Sequence, residues 1–99
     1  MQLGGIIMPS FDKYPAIISE VEFVSRCKEL IVEWYNSTST RISTDNVFCV
    51  WLCKILKNNK GLFSTNKPDG LYFEITFDGE AGKFYFDVYK KTENKTIDR

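Results

Sequence analysis

The chain of 99 residues contains no histidine, so the commonest general base and the commonest metal ligand are missing together. It has three cysteines, at 27, 49 and 53, which could complete a zinc site only with a fourth ligand from outside. Free thiols in a reducing compartment are the expectation, with no metal and no cofactor. There is no excess of charge of one sign: 13 basic residues balance 13 acidic ones. That removes the basic field most duplex binders use, and direct nucleic-acid binding is disfavoured. Long hydrophobic runs are lacking as well. The densest, residues 47–56, contains Lys54 and falls well short of the ~20 residues a membrane helix needs. The opening MQLGGIIMPS has neither the basic n-region nor the apolar core of a secretory signal. No Gly-x-Ser-x-Gly, phosphate-cradling glycine loop or dinucleotide fingerprint occurs. These absences lead to the expectation of a cytoplasmic, non-catalytic protein.

What is present is a strict alternation over residues 70–91. Leu71, Phe73, Ile75 and Phe77 alternate with Tyr72, Glu74, Thr76 and Asp78, and Phe84, Phe86 and Val88 alternate with Tyr85, Asp87 and Tyr89. Period two is the pattern of half-buried antiparallel strands, and Asp78-Gly79-Glu80-Ala81-Gly82 supplies turn residues. Placing Phe77 opposite Phe84 makes 75–86 and 73–88 the inward pairs, with 76–85, 74–87 and 72–89 outward. Asp78 then meets Lys83 at the turn.

Upstream, Ser19-Glu20-Val21-Glu22 is a capping box. Phe23, Val24, Cys27, Leu30, Ile31, Trp34 and Tyr35 recur at helical spacing, which predicts an amphipathic helix over residues 20–35. Ser43, Thr44 or Asp45 can cap a second helix whose main stripe is Phe48, Trp51, Leu52, Ile55 and Leu56, with Cys49 and Cys53 one turn apart on one face. Lys57, Lys60 and Gly61 would mark its end. Residues 62–65 read as a short strand, followed by a Lys67-Pro68-Asp69-Gly70 turn. The predicted fold is α+β: two N-terminal helices packed on a three-stranded antiparallel β-meander in two layers. Residues 1–18, with two of the three prolines, read as an extended arm, within which Met8 could be an alternative start. Residues 19–94 form the single domain, and 95–99 a frayed tail.

Like charges directly across a sheet are unfavourable, so Glu74 opposite Asp87, flanked by Tyr72 and Tyr89, is an unusual choice for a plain solvated face. Two carboxylates among aromatics suit a cation or a basic side chain, and exposed tyrosines are common interface anchors. Tyr72, Glu74, Tyr85, Asp87 and Tyr89 are therefore the candidate partner-binding residues.

The segments Asp45-Asn46-Val47-Phe48-Cys49-Val50-Trp51-Leu52-Cys53-Lys54, Leu56-Lys57-Asn58-Asn59-Lys60, Pro68-Asp69-Gly70-Leu71-Tyr72-Phe73-Glu74 and Tyr89-Lys90-Lys91 carry a likeness. Over about residues 20–94 the chain resembles a family of small uncharacterised proteins encoded by temperate phages and prophages of Gram-positive bacteria. The resemblance implies a virus-encoded accessory protein acting in the host bacterial cytoplasm, and it brings no catalytic residues. The expected function is to bind and modulate or inhibit a host protein with a basic surface, an antiviral-defence component being one such target. The alternative is a dimeric small-ligand or nucleotide-binding module whose tyrosines and 67–70 turn line a pocket. A homodimer is the further partner the sequence allows.

Overall fold

The computed structural model describes residues 19–99; the expected N-terminal arm and the choice between Met1 and Met8 lie outside them. One helix, α1 (Glu20–Asn36), is followed by a short 3-10 turn (Thr44–Asn46). Four strands come next: β1 (Val47–Ile55), β2 (Asn58–Thr65), β3 (Leu71–Asp78) and β4 (Lys83–Lys90). They form one antiparallel sheet in the order β1-β2-β3-β4. The α+β class and the two layers stand; among the described residues the count is one helix and four strands.

Helix α1 begins where its capping box places it. The Glu22 amide donates to Ser19 Oγ at 3.1 Å and the Ser19 amide to Glu22 Oε1 at 3.1 Å. Phe23, Cys27, Ile31 and Tyr35, four residues apart, form the fully buried stripe, the spacing that keeps side chains on one helix face. At the other end Arg41 donates to the carbonyl of Asn36 (3.1 Å), an acceptor the last turn leaves free, and to that of Thr38 in the following loop (2.8 Å).

The stripe lies on the inner face of the sheet, where Phe63, Phe73, Ile75, Phe77 and Val47 complete the core. Phe23 stacks on Phe84 with ring centroids 6.3 Å apart, and Trp34 meets Phe73 edge-on at 5.4 Å. Phe84 and Phe86, expected to be buried, are only half-covered, because a single helix cannot reach across four strands. Gly61 provides room under the helix: a Cβ there would stand 2.7 Å from the Phe63 ring and 3.1 Å from Leu52 Cδ2.

The second helix is absent, and residues 47–55 are strand β1. The proposed cap became the 3-10 turn, in which the Ser43 amide donates to Asn46 Oδ1 at 2.8 Å. Lys60 and Gly61 lie inside β2, which starts at Asn58 instead of 62. The physical reason is a bulge between Cys49 and Trp51. Before it Val47 and Cys49 pair with inward Thr65 and Phe63; after it Leu52 and Lys54 pair with Gly61 and Asn59. The extra residue breaks the period-two signal, and apolar side chains on both faces fill in a pattern that imitates a central helix. Cys49 and Cys53, expected on one helix face, consequently sit on opposite faces of the sheet.

A two-residue turn, Leu56-Lys57, joins β1 to β2. Leu56 adopts φ 56°, a left-handed conformation costing a branched side chain roughly 1–2 kcal/mol, and it packs on little because 85% of it is exposed. Leu56→Gly should therefore stabilise the fold by about 1 kcal/mol after the extra entropy of glycine is counted. Thermal melting should read this as a rise of roughly 4–8 °C; an unchanged or lower midpoint would contradict the turn geometry.

Candidate protein-docking face

The register of the β3–β4 hairpin is the one obtained by placing Phe77 opposite Phe84. Tyr72 pairs with Tyr89, Glu74 with Asp87, Thr76 with Tyr85 and Asp78 with Lys83, while Phe73, Ile75 and Phe77 pair with Val88, Phe86 and Phe84. All five candidate residues are thus brought together on the outer face, opposite α1.

Strand β1 extends that face with Phe48 and Trp51, which the sequence assigned to a helix core, and β2 with Ser64, Leu62 and Lys60. Following the pairings across the sheet gives three successive rows: Phe48–Ser64–Tyr72–Tyr89, Trp51–Leu62–Glu74–Asp87 and Cys53–Lys60–Thr76–Tyr85. Phe48 (49% exposed), Trp51 (42%), Tyr85 (48%) and Tyr89 (52%) are open to solvent. Among the described residues no helix or strand lies over these rows. Soluble proteins rarely leave so many large aromatic groups uncovered on one contiguous patch.

The opposed carboxylates are not equivalent. Glu74 is engaged on both oxygens, by Tyr89 Oη at 3.1 Å and Lys60 Nζ at 3.3 Å. Lys60 reaches it from the neighbouring row on β2, and this is how the sheet tolerates like charges across β3 and β4. The hydrogen bond to Glu74, and then its charge, hold the Tyr89 hydroxyl above its ordinary pKa. Asp87 is exposed, and Tyr85 and Tyr89 flank it on the same strand face. Lys91 Nζ lies 5.7 Å from the Tyr72 ring centroid, covering one edge of the patch with a cation–π contact. Lys60 and Trp51 could have been found in the sequence only by treating residues 47–60 as a hairpin.

Other chemistry has little to work with here. The 67–70 turn is structural: Asp69 accepts from Tyr35 Oη at 2.6 Å and from the Leu71 amide at 3.1 Å. A groove of about 590 Å³ runs along the other side of the molecule, lined by Val21, Val24, Ser25, Lys28 and Leu52. The tyrosines of the alternative ligand-pocket reading face away from it. The cysteines are free, with Cys27 buried and Cys53 exposed. Burial, then the nearby Cys49, push the Cys27 thiol up to about 12, which leaves it protonated and unreactive near neutrality. No described helix is long and apolar enough to cross a membrane.

Residues 24–99 match the model of a family of unknown function, DUF6275. No curated protein and no solved structure matches the chain.

Proposed function

The chain belongs to the DUF6275 family, and we propose that it is a non-catalytic binding protein that docks a protein partner on the outer face of its sheet. The observation carrying this reading is the aromatic surface built by exposed Phe48, Trp51, Tyr85 and Tyr89 with half-buried Tyr72, over which no described helix or strand lies, around a half-engaged acid pair. Tyr and Trp anchors supply large contact area with few torsions to freeze. A flat sheet face offers no enclosure for a small molecule, which normally binds in a concave site. Asp87, exposed between two tyrosines, suits a lysine or arginine of the partner, whose stem would lie on the rings. The resemblance to phage and prophage proteins supplies the setting: a host protein in the bacterial cytoplasm, modulated or inhibited by having a basic surface covered.

The test is affinity capture of the tagged full-length chain from bacterial cells, followed by titration of the captured protein against variants. Trp51→Ala and Tyr89→Ala should each weaken binding about thirtyfold, the effect of losing ~2 kcal/mol at an interface anchor, with melting temperature nearly unchanged. Asp87→Lys should slow association most at low salt, since charges at an interface act mainly on the on-rate. A verified partner that binds all three variants as it binds wild type would remove the outer face from consideration.

A further inference from the structure

The opposed acids of the outer face have one counter-charge between them. Glu74 and Asp87 stand directly across β3 and β4, a placement that is unfavourable for like charges. Lys60 relieves it at Glu74, with Nζ 3.3 Å from Oε2, while Glu74 Oε1 accepts from Tyr89 Oη at 3.1 Å. Asp87 is exposed, and among the described residues no ion pair or hydrogen bond reaches its carboxylate. The pair is therefore a seat for two cations, of which the chain supplies one.

The strand itself shapes what the second seat can hold. Side chains two apart on one strand face stand about 7 Å from each other, so Tyr85 and Tyr89 rise on either side of the shorter Asp87. At the ~3.5 Å contact distance of carbon atoms, that interval admits one flat group between two rings. Tyr89 is the fixed wall, because Glu74 holds its hydroxyl; Tyr85 is open to solvent. Cation and ring already meet on this face, where Lys91 Nζ lies 5.7 Å from the Tyr72 ring centroid. We infer that the slot takes the guanidinium of an arginine of the protein partner, its plane between Tyr85 and Tyr89 and two N–H groups donating to the Asp87 carboxylate. The inference rests on the docking reading of the outer face and specifies the group that is recognised there. Arginine fits where lysine does not: its head is planar, weakly hydrated and forked, so it stacks on rings and meets a carboxylate at two points. A lysine ammonium is compact and strongly hydrated, and would surrender its water for a single contact. Lys60 keeps Glu74 occupied, so one incoming cation completes the pair, but its own charge opposes that cation.

The probe is acetyl-arginine amide, titrated at low salt into the full-length isotope-labelled chain and followed by the shifts of its backbone amides. Saturable shifts should centre on Glu74, Tyr85, Asp87 and Tyr89, and acetyl-lysine amide should bind about fivefold more weakly. Asp87→Asn and Tyr85→Ala should each weaken the arginine probe about fivefold or more. Lys60→Met should tighten it about threefold, by removing the opposing charge and leaving Glu74 unpaired. Asp87 and Tyr85 are exposed, and the dispersion of each variant's spectrum shows in the same experiment that it is folded. Equal affinity for the two probes overturns the inference, as does the absence of saturable shifts in the millimolar range, or binding that survives Asp87→Asn. The captured partner separates this outcome from the reading beneath it. Binding that falls in Trp51→Ala but not in Asp87→Asn would remove the arginine slot and leave the docking face standing, whereas binding unchanged in both, and in Tyr89→Ala, removes the face itself.

Discussion

Phe73→Ala is expected to destabilise the protein by about 3–5 kcal/mol, the range for emptying a core phenylalanine position. Phe73 is fully buried and sits where the end of α1 meets the middle of the sheet. Its ring lies 5.4 Å from Trp34, 5.7 Å from Tyr35 and 5.8 Å from Phe86. Those neighbours are anchored on two different elements, so the cavity cannot close by moving one side chain, and incomplete collapse is what raises the cost. Phe84→Ala should cost less, because Phe84 is already half-open to solvent and lies on an edge strand with a groove on either side of it. Urea denaturation of the two variants checks both statements. Equal losses would mean that Phe84 is as well covered as Phe73, and that the helix spans more of the sheet than described.

That contrast also marks how far the sequence could be read. Residues 71–78 and 83–90 were legible because one face is core and the other polar, so that a one-residue slip would turn every phenylalanine outward, and because the turn residues 78–82 place Asp78 opposite Lys83. The helix was legible because Ser19 and Glu22 cap it and its apolar stripe repeats every four residues. Strand β1 was not. Its inner face meets α1, its outer face is apolar for a different reason, and the bulge shifts the alternation midway, so hydrophobicity carries no period at all. Half of the candidate face was hidden by the same cause. Tyr72, Glu74, Tyr85, Asp87 and Tyr89 announced themselves by alternating with core residues, whereas Phe48 and Trp51 looked like core themselves. The role of Lys60 was beyond reach while residues 57–61 were read as the end of a helix. A surplus of large apolar residues in a strand is thus ambiguous from sequence: it can signal burial on both sides, or burial on one and a docking surface on the other.

Tyr35→Phe is expected to cost about 2 kcal/mol near neutral pH, the scale for a hydrogen bond to an ionised group. The Tyr35 hydroxyl is buried with its ring and donates to Asp69 Oδ2 at 2.6 Å, tying the last turn of α1 to the turn before β3. Removing it leaves Asp69 with the Leu71 amide and one carboxylate oxygen short of a partner in a part-buried site. The same bond has a signature in pH. Burial first, and then the carboxylate it faces, push the Tyr35 hydroxyl from 10.0 up to about 12. Below pH 10 both folded and unfolded chains hold the proton, and the contribution is fully present. Between pH 10 and about 12 the unfolded chain loses the proton while the folded one keeps it, so stability falls as pH rises. Cys27 acts in the same direction, from 9.0 to about 12. Wild-type stability should hold level across the neutral range and then decline steeply in alkali. Tyr35→Phe lacks the tyrosine component of that decline, so the gap between the two proteins should narrow above pH 10. Denaturation midpoints collected along an alkaline series decide the matter: a gap that stays constant or widens would mean that Tyr35 ionises as freely in the folded protein as in water, and that its bond to Asp69 does not hold the helix to the sheet.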